Sequence, residues 1–215
     1  DLKSFLHLVS KISKNHNRSF NFIFKIEQII QNIKDQILNF FSNFEIFNIF
    51  KTNKRILLYL FEEKILIPDD TIYYIIKSEE FANKSYLEYF KPEFKSFIEK
   101  ESQESKSTSE NFSTEKIDTI ENEIDQETFE KKRKIGENDN YICELIRNDS
   151  IDEFIRYVEV NNINISEVKI EPSIFETNAK FIQKYDYLKS RNKKRSLIEY
   201  AAFYGSIQIF KYIMI

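Results

Sequence analysis

Little in this chain can break a helix and nothing in it can form an internal cross-link. Its 215 residues include two glycines, three prolines, one cysteine, one methionine and no tryptophan. So little glycine and proline excludes a turn-rich all-β fold, which needs both at its many reversals. The lone cysteine, Cys143, excludes an internal disulfide and fits a reducing, cytoplasmic setting. No apolar run approaches the ~18 residues of a membrane-spanning helix, and the most apolar stretch, ILLYLF at 56–61, is bracketed by Lys54, Arg55, Glu62 and Glu63. There is no glycine-rich phosphate loop and no nucleophile elbow, and His7 and His16 lie too far apart for a metal pair on one helix. No catalytic residue, metal ligand or cofactor is therefore expected, and the chain is not expected to be an enzyme. Thirty-two basic residues against thirty-five acidic ones leave a net charge of −3, with no basic face for general nucleic-acid binding.

What is abundant is apolar surface at helical spacing. Hydrophobic residues make up 41% of the chain and aromatic residues 15%, enough for a core in one or two domains. Leu2, Phe5, Leu6, Val9 and Ile12 form one stripe. Ile23, Ile26, Ile30, Ile33, Ile37 and Phe40 recur at alternating spacings of three and four, the seam of one long helix, with Phe22, Ile29 and Phe41 widening it. Ser42 and Asn53 stand where they can cap the helices that follow, and Pro68 with Asp69 and Asp70 suits a first turn. Pro92 and Glu93 similarly open a helix through Phe94, Phe97 and Ile98. Residues 1–100 thus predict a helical region.

Composition changes over 101–136, which is crowded with Glu, Ser, Thr and Asp and predicts an acidic flexible linker, with one transient helix over 114–124. Lys131, Lys132, Arg133 and Lys134 form a basic cluster at its end, which an exposed flank would turn into a nuclear import signal. Within 137–215, the last twenty residues read as two short helices around Gly205, a residue that tolerates positive φ in a tight reversal. Ser196 caps the first, Ile198, Ala201 and Ala202 follow at helical spacing, and Ile207 opens the apolar face of the second. A degenerate copy of the plan lies upstream, with Asp149, Ser150 and Ile151 standing where Gly205, Ser206 and Ile207 stand later. The insert between the copies carries Pro172 and predicts an ordered turn before a short helix over 179–187.

The final hairpin resembles an ankyrin repeat: Ser196, Leu197, Ile198 and Glu199 take the places of the T-P-L-H that opens its first helix, with Pro and His both replaced. The two copies start roughly 55 residues apart rather than ~33, so the first is an irregular unit with an insert. The whole chain is similar to a protist family in which a helical region of unknown function precedes an ankyrin array. LVSKISKN at 8–15, KIEQI at 25–29, NKRILL at 53–58, KRKIGEND at 132–139, EPSIFETN at 171–178 and SLIEYAAFYGS at 196–206 carry that similarity.

The resemblance implies an all-α protein, a helical N-terminal region followed by the start of an ankyrin-type solenoid, that binds another protein and does no chemistry. Arg191, Asn192, Lys193, Lys194 and Arg195 fall where a finger of such an array projects, which suits an acidic partner surface. The competing expectations are a helical oligomerisation or structural scaffold that uses the helix from Phe20 to Phe41, or a decayed, non-functional fragment. With Asp1 at its start and Met214 as its only methionine, the chain is expected to be a fragment, with more repeats beyond Ile215.

Overall fold

The computed structural model describes residues 1–15, 20–78, 84–107, 126–178, 181 and 195–215. Among the described residues the fold is all-α, with thirteen helices and no strand. In chain order these are α1 (Leu2–Asn15), α2 (Phe20–Asn32), α3 (Lys34–Phe40), α4 (Asn43–Phe50), α5 (Lys54–Glu62), α6 (Asp70–Lys77) and α7 (Lys84–Tyr89), followed by α8 (Lys95–Ser107), α9 (Gln126–Ile135), α10 (Tyr141–Arg147), α11 (Ile151–Val160), α12 (Leu197–Tyr204) and α13 (Ile207–Met214).

The helices begin where side chains can satisfy their free N–H groups. Ser42 and Glu45 form a reciprocal capping box on α4, the Ser42 oxygen accepting from the Glu45 N–H at 3.3 Å and the Ser42 N–H donating to the Glu45 carboxylate at 3.0 Å. Asn53 accepts from the Ile56 N–H on α5 at 3.2 Å, and Asp69 from the Ile72 N–H on α6 at 2.8 Å. α5 stops where Lys64 turns left-handed (φ 55°), and the Ile65 N–H returns to the Leu60 carbonyl at 2.9 Å, which drops Ile65 and Leu66 into the core.

The long helix expected through residues 20–41 is instead two, broken at Ile33 (φ −113°, ψ 14°). A seam with a period of 3.5 residues drifts by about 20° per heptad on a straight helix of 3.6 residues per turn. The break re-aims Ile37 into the same core as Ile26 and Ile30, while Phe40 is left 74% exposed. Lys34, at the break, donates to the Glu63 carbonyl at 2.6 Å and so fixes α3 to the end of α5.

Two separate apolar cores result. The first gathers buried side chains from Leu6 to Phe94, with Phe47, Phe50, Leu57 and Tyr89 at its heart. The second runs from Cys143 to Ile209. Each fully buried aliphatic or aromatic side chain contributes roughly 1.5–3 kcal/mol relative to exposure. Between the two cores lies a polar seam built on α9. Arg133, 1% exposed, donates from Nη2 to both Glu93 oxygens at 2.6 and 2.7 Å and from Nη1 to Glu130 at 3.0 Å. Its guanidinium lies over the rings of Tyr89 (5.2 Å) and Phe129 (5.6 Å), and the Tyr89 hydroxyl donates to the Arg133 carbonyl at 2.9 Å.

An irregular strap over 171–178 closes the seam. Its Ile174 carbonyl accepts from buried Lys54 of α5 at 3.0 Å. Phe175 packs edge-on against Phe129, and the Thr177 N–H and hydroxyl both donate to the Gly136 carbonyl at 3.0 and 2.8 Å. Gly136 adopts φ 70°, and a Cβ there would sit 2.9 Å from the Thr177 hydroxyl, so glycine is required on two counts. The segments NKRILL, KRKIGEND and EPSIFETN, far apart in sequence, therefore meet in one place.

The segment read as a flexible acidic linker is helical where it is described, apart from the turn at Gly136. α8 continues to Ser107 and starts at Lys95, with Pro92 in the preceding turn, and α9 belongs to the seam. Phe129 and Arg133, four residues apart, share one face of α9, which gives that helix a side to bury. The helices expected over 114–124 and 179–187 lie outside the described residues apart from Phe181.

Burial pushes the Glu93 carboxyl above its ordinary range, against the pull of Arg133. Replacing Arg133 with Met removes the compensating charge and leaves Glu93 stranded, so Arg133→Met should lower unfolding free energy by roughly 3 kcal/mol or more. Adding Glu93→Gln should recover part of the loss, read from urea denaturation followed by circular dichroism. Equal single and double variants would show that Arg133 acts through packing alone.

Candidate partner-binding site

Helices α10–α11 and α12–α13 form two helical hairpins stacked side by side, α10 on α12 and α11 on α13. Their turns are built alike. Asp149 and Gly205 are both left-handed (φ 51° and 74°), and Ser150 and Ser206 follow with nearly the same angles (φ −80°, ψ 74° and φ −77°, ψ 80°). The Ser150 N–H donates to the Leu145 carbonyl and the Ser206 N–H to the Ala201 carbonyl, each five residues back and each at 3.0 Å. The second helices then start at Ile151 and Ile207, as the sequence correspondence between the two units requires.

The two turns are tied to each other. Ser206 does not cap its own helix with its side chain. Instead the Asp149 carboxylate accepts from the Gln208 and Ile209 N–H groups at 3.1 and 3.0 Å, capping α13 from the neighbouring hairpin. In return the buried Ser206 hydroxyl donates to the Ile146 carbonyl. A negative side chain at a helix N-terminus is favoured by the dipole as well as by the hydrogen bonds. Sequence reasoning missed this cross-capping, although an acidic residue in the left-handed position of one turn, beside a serine turn with no cap of its own, is a usable signal.

Glu199, which replaces the His of the ankyrin pattern, completes a capping box. Its N–H donates to Ser196 at 3.3 Å and its carboxylate accepts from the Ser196 N–H at 2.9 Å. Those bonds, the backbone one foremost, hold its carboxyl below the usual range. The remaining expected positions divide. Ala201 is buried and Ile198 half-buried, but Ala202 faces solvent, because successive helical residues are rotated by about 100° and only one of two adjacent alanines can face the neighbouring hairpin. Ile207 is 62% exposed, and the apolar contact is made by Ile209 two residues later. Tyr212 of α13 meets Phe154 of α11 edge-on.

The insert between the hairpins leaves and returns at one point. Lys169 and Ser196 form an antiparallel bridge, and the Ile170 N–H donates to the Arg195 carbonyl at 2.7 Å. Of the five finger residues only Arg195 is described. It is half-buried at this base and pairs with Glu199 at 3.3 Å. Arg191, Asn192, Lys193 and Lys194 lie outside the described residues. The other basic cluster is taken up in α9: Lys131 pairs with Glu127 at 2.6 Å, Lys132 with Asp139 at 2.8 Å and Lys134 with Glu62 at 3.6 Å, beside buried Arg133.

Buried polar groups in the stack serve packing. Arg147 donates to the Asn138 carbonyl at 2.8 Å and the Tyr200 hydroxyl at 2.9 Å, and pairs with Glu137 at 2.8 Å. Burial pushes the Cys143 thiol up to about 12, so it is protonated near neutrality and a poor nucleophile. Among the described residues no three acidic, histidine or cysteine side chains are grouped to hold a metal, and no helix is long and apolar enough to cross a membrane.

Asp149→Ala should destabilise the chain by roughly 1–2 kcal/mol, since it removes a cap and leaves a Cβ at positive φ without a local hydrogen bond. Asp149→Asn, which retains one acceptor oxygen and tolerates the left-handed region, should remain close to wild type. Urea midpoints of the two variants check this, and equal losses would refute cross-capping by the side-chain oxygens.

No protein-family model matches the chain, and no significant similarity to a curated protein or to a solved structure was found.

Proposed function

We propose that this chain is a non-catalytic protein-interaction adaptor in which α10–α13 are ankyrin-type units and the finger Arg191–Arg195 contacts an acidic surface of a protein partner. The observation that carries this reading is the pair of hairpins with matching turns, each turn hydrogen-bonded to the next. Such lateral ties let identical small units stack into a rigid binding surface, the working principle of repeat proteins. The antiparallel bridge at Lys169 and Ser196 supports a projection at that point, because it brings the insert out and back beside the start of a repeat. The setting belongs in the cytoplasm, in line with one buried thiol. Import into the nucleus through Lys131–Lys134 would require α9 to leave the seam, since Arg133 is enclosed there.

A second reading is favoured by a different observation. Phe24, Ile29, Leu38 and Phe40 of α2 and α3 are exposed while the isoleucine seam of the same helices is buried. Self-association through that outer side would make the N-terminal helices a scaffold. Light scattering of the full chain separates the two: a mass that stays monomeric over a hundredfold range of concentration removes the scaffold.

For the adaptor, affinity capture should compare wild type with Arg191→Glu, Lys193→Glu and Lys194→Glu combined. The triple variant should lose the partner, and wild-type binding should weaken as salt rises past the ionic strength at which the Debye length is about 10 Å. An unchanged set of captured proteins would take the finger out of the interface.

A further inference from the structure

We infer that Lys54 and Glu176, two titratable groups enclosed where the strap closes over α5, make the polar seam a pH-sensitive latch. Lys54 is fully buried on α5, its ammonium 4.9 and 5.1 Å from the ring centroids of Tyr86 and Tyr89 and bonded to the strap at Ile174. Glu176, two residues further along the strap, is 1% exposed. Its Oε1 accepts from the Asn178 N–H at 2.7 Å, whereas its Oε2 accepts no hydrogen bond among the described residues. A buried carboxylate oxygen with no donor is costly when ionised and tolerable when protonated. Both groups thus lie at the seam, Lys54 on α5 of the first core and Glu176 on the strap that Lys54 binds.

The surroundings of Glu176 do not replace that proton. Across the seam α5 offers Lys54, with Glu88 of α7 acting on Lys54 from beyond it. From the second core α10 presents Arg147 and Cys143 and α12 presents Tyr200 and Tyr204, while Glu137 of the loop after α9 adds an opposing charge. Arg147 is committed to Glu137, Asn138 and Tyr200. Burial outweighs these attractions and raises the Glu176 carboxyl from 4.5 to about 7, and burial likewise lowers Lys54 from 10.5 to about 7.

The signs then follow. A carboxyl raised in the folded chain contributes stability that is complete below about 4.5 and is lost as pH climbs through about 7. An amine lowered in the folded chain contributes stability that is complete above about 10.5 and is lost as pH falls through about 7. The closed seam therefore holds one proton more than the open one in mild acid and one fewer in mild alkali. Its stability passes through a minimum near neutral pH, where an ordinary domain is close to its maximum.

The test is a urea-denaturation series of the full chain from about pH 5 to 9, joined to carbon-13 NMR of the Glu176 carboxyl. The wild-type folding constant should fall by up to tenfold per pH unit toward neutrality and climb again beyond it. Glu176→Gln should remove the acid limb and Lys54→Met the alkaline limb. Spin labels at Lys91→Cys and Lys211→Cys on a Cys143→Ser background should report a broader distance distribution at about pH 7 than at pH 5.5 or 8.5. A Glu176 carboxyl that titrates at its ordinary 4.5 in the wild type overturns the proposal even if a variant fails to fold. So does a stability profile with no minimum, or a label distance that ignores pH.

Discussion

The fold depends first on one enclosed guanidinium. Arg133 is the only residue of α9 that reaches Glu93, Glu130, Tyr89 and Phe129 together, and its own carbonyl is held by the Tyr89 hydroxyl. A planar fork with several donors can engage two carboxylates while its faces lie on aromatic rings, which a lysine could not do. The arrangement is not a large source of stability, because desolvating three charges consumes most of their attraction, and Nε itself has no partner among the described residues. What it supplies is register. With the fork seated, α9 has one position against the first core, Gly136 follows at its end, and the strap has a fixed carbonyl to which Thr177 can bind.

That polar register separates two ways of joining cores. Had α9 carried leucines at these positions, the two apolar clusters could have merged and slid against each other with little penalty, since apolar packing is nearly indifferent to direction. Ion pairs and backbone hydrogen bonds are satisfied in one geometry and expensive in others. The bundle and the hairpins are therefore held as distinct bodies in a defined relation, and the connection concentrates on a few bonds: Lys54 to Ile174, Thr177 to Gly136, and Arg133 to Glu93.

How much of this was legible follows from the range of each interaction. Caps at Ser42, Asn53 and Ser196, the left-handed Gly205 and the buried faces around Leu6, Val9 and Ile30 depend on residues a few positions apart, so spacing reveals them. The equivalence of the two hairpin turns was also readable, even with Asp149 in the glycine place. The break at Ile33 was not, because a seam of isoleucines looks the same on one helix or two. Least visible were the enclosed charges. Lys54, Arg133 and Glu176 stand among many solvated lysines, arginines and glutamates, and for Lys54 and Arg133 it is contacts 120 and 40 residues away that distinguish them. A run of four basic residues ending an acidic stretch suggested an exposed signal, when one of the four was the hub of the seam.

The same long-range contacts bear on how binding could reach the bundle. Lys169 and Ser196 close the base of an excursion that contains, in chain order, the strap with Ile174, Glu176 and Thr177 and then the finger residues Arg191 to Arg195. Two described anchors flank the finger along the chain. One is the bridge beside α12, where the Ile170 N–H donates to the Arg195 carbonyl at 2.7 Å. The other is the strap, held by Gly136 and Lys54. A backbone bond contributes only about 1 kcal/mol net, and the strap is tied by the Thr177 N–H and hydroxyl to the Gly136 carbonyl and by Lys54 to the Ile174 carbonyl. Its strength in turn varies with the proton balance of Lys54 and Glu176. If the finger binds a partner as proposed, that partner and a proton at the seam would act on one stretch of chain, and linkage would require each to alter the equilibrium of the other wherever binding changes the closure of the strap.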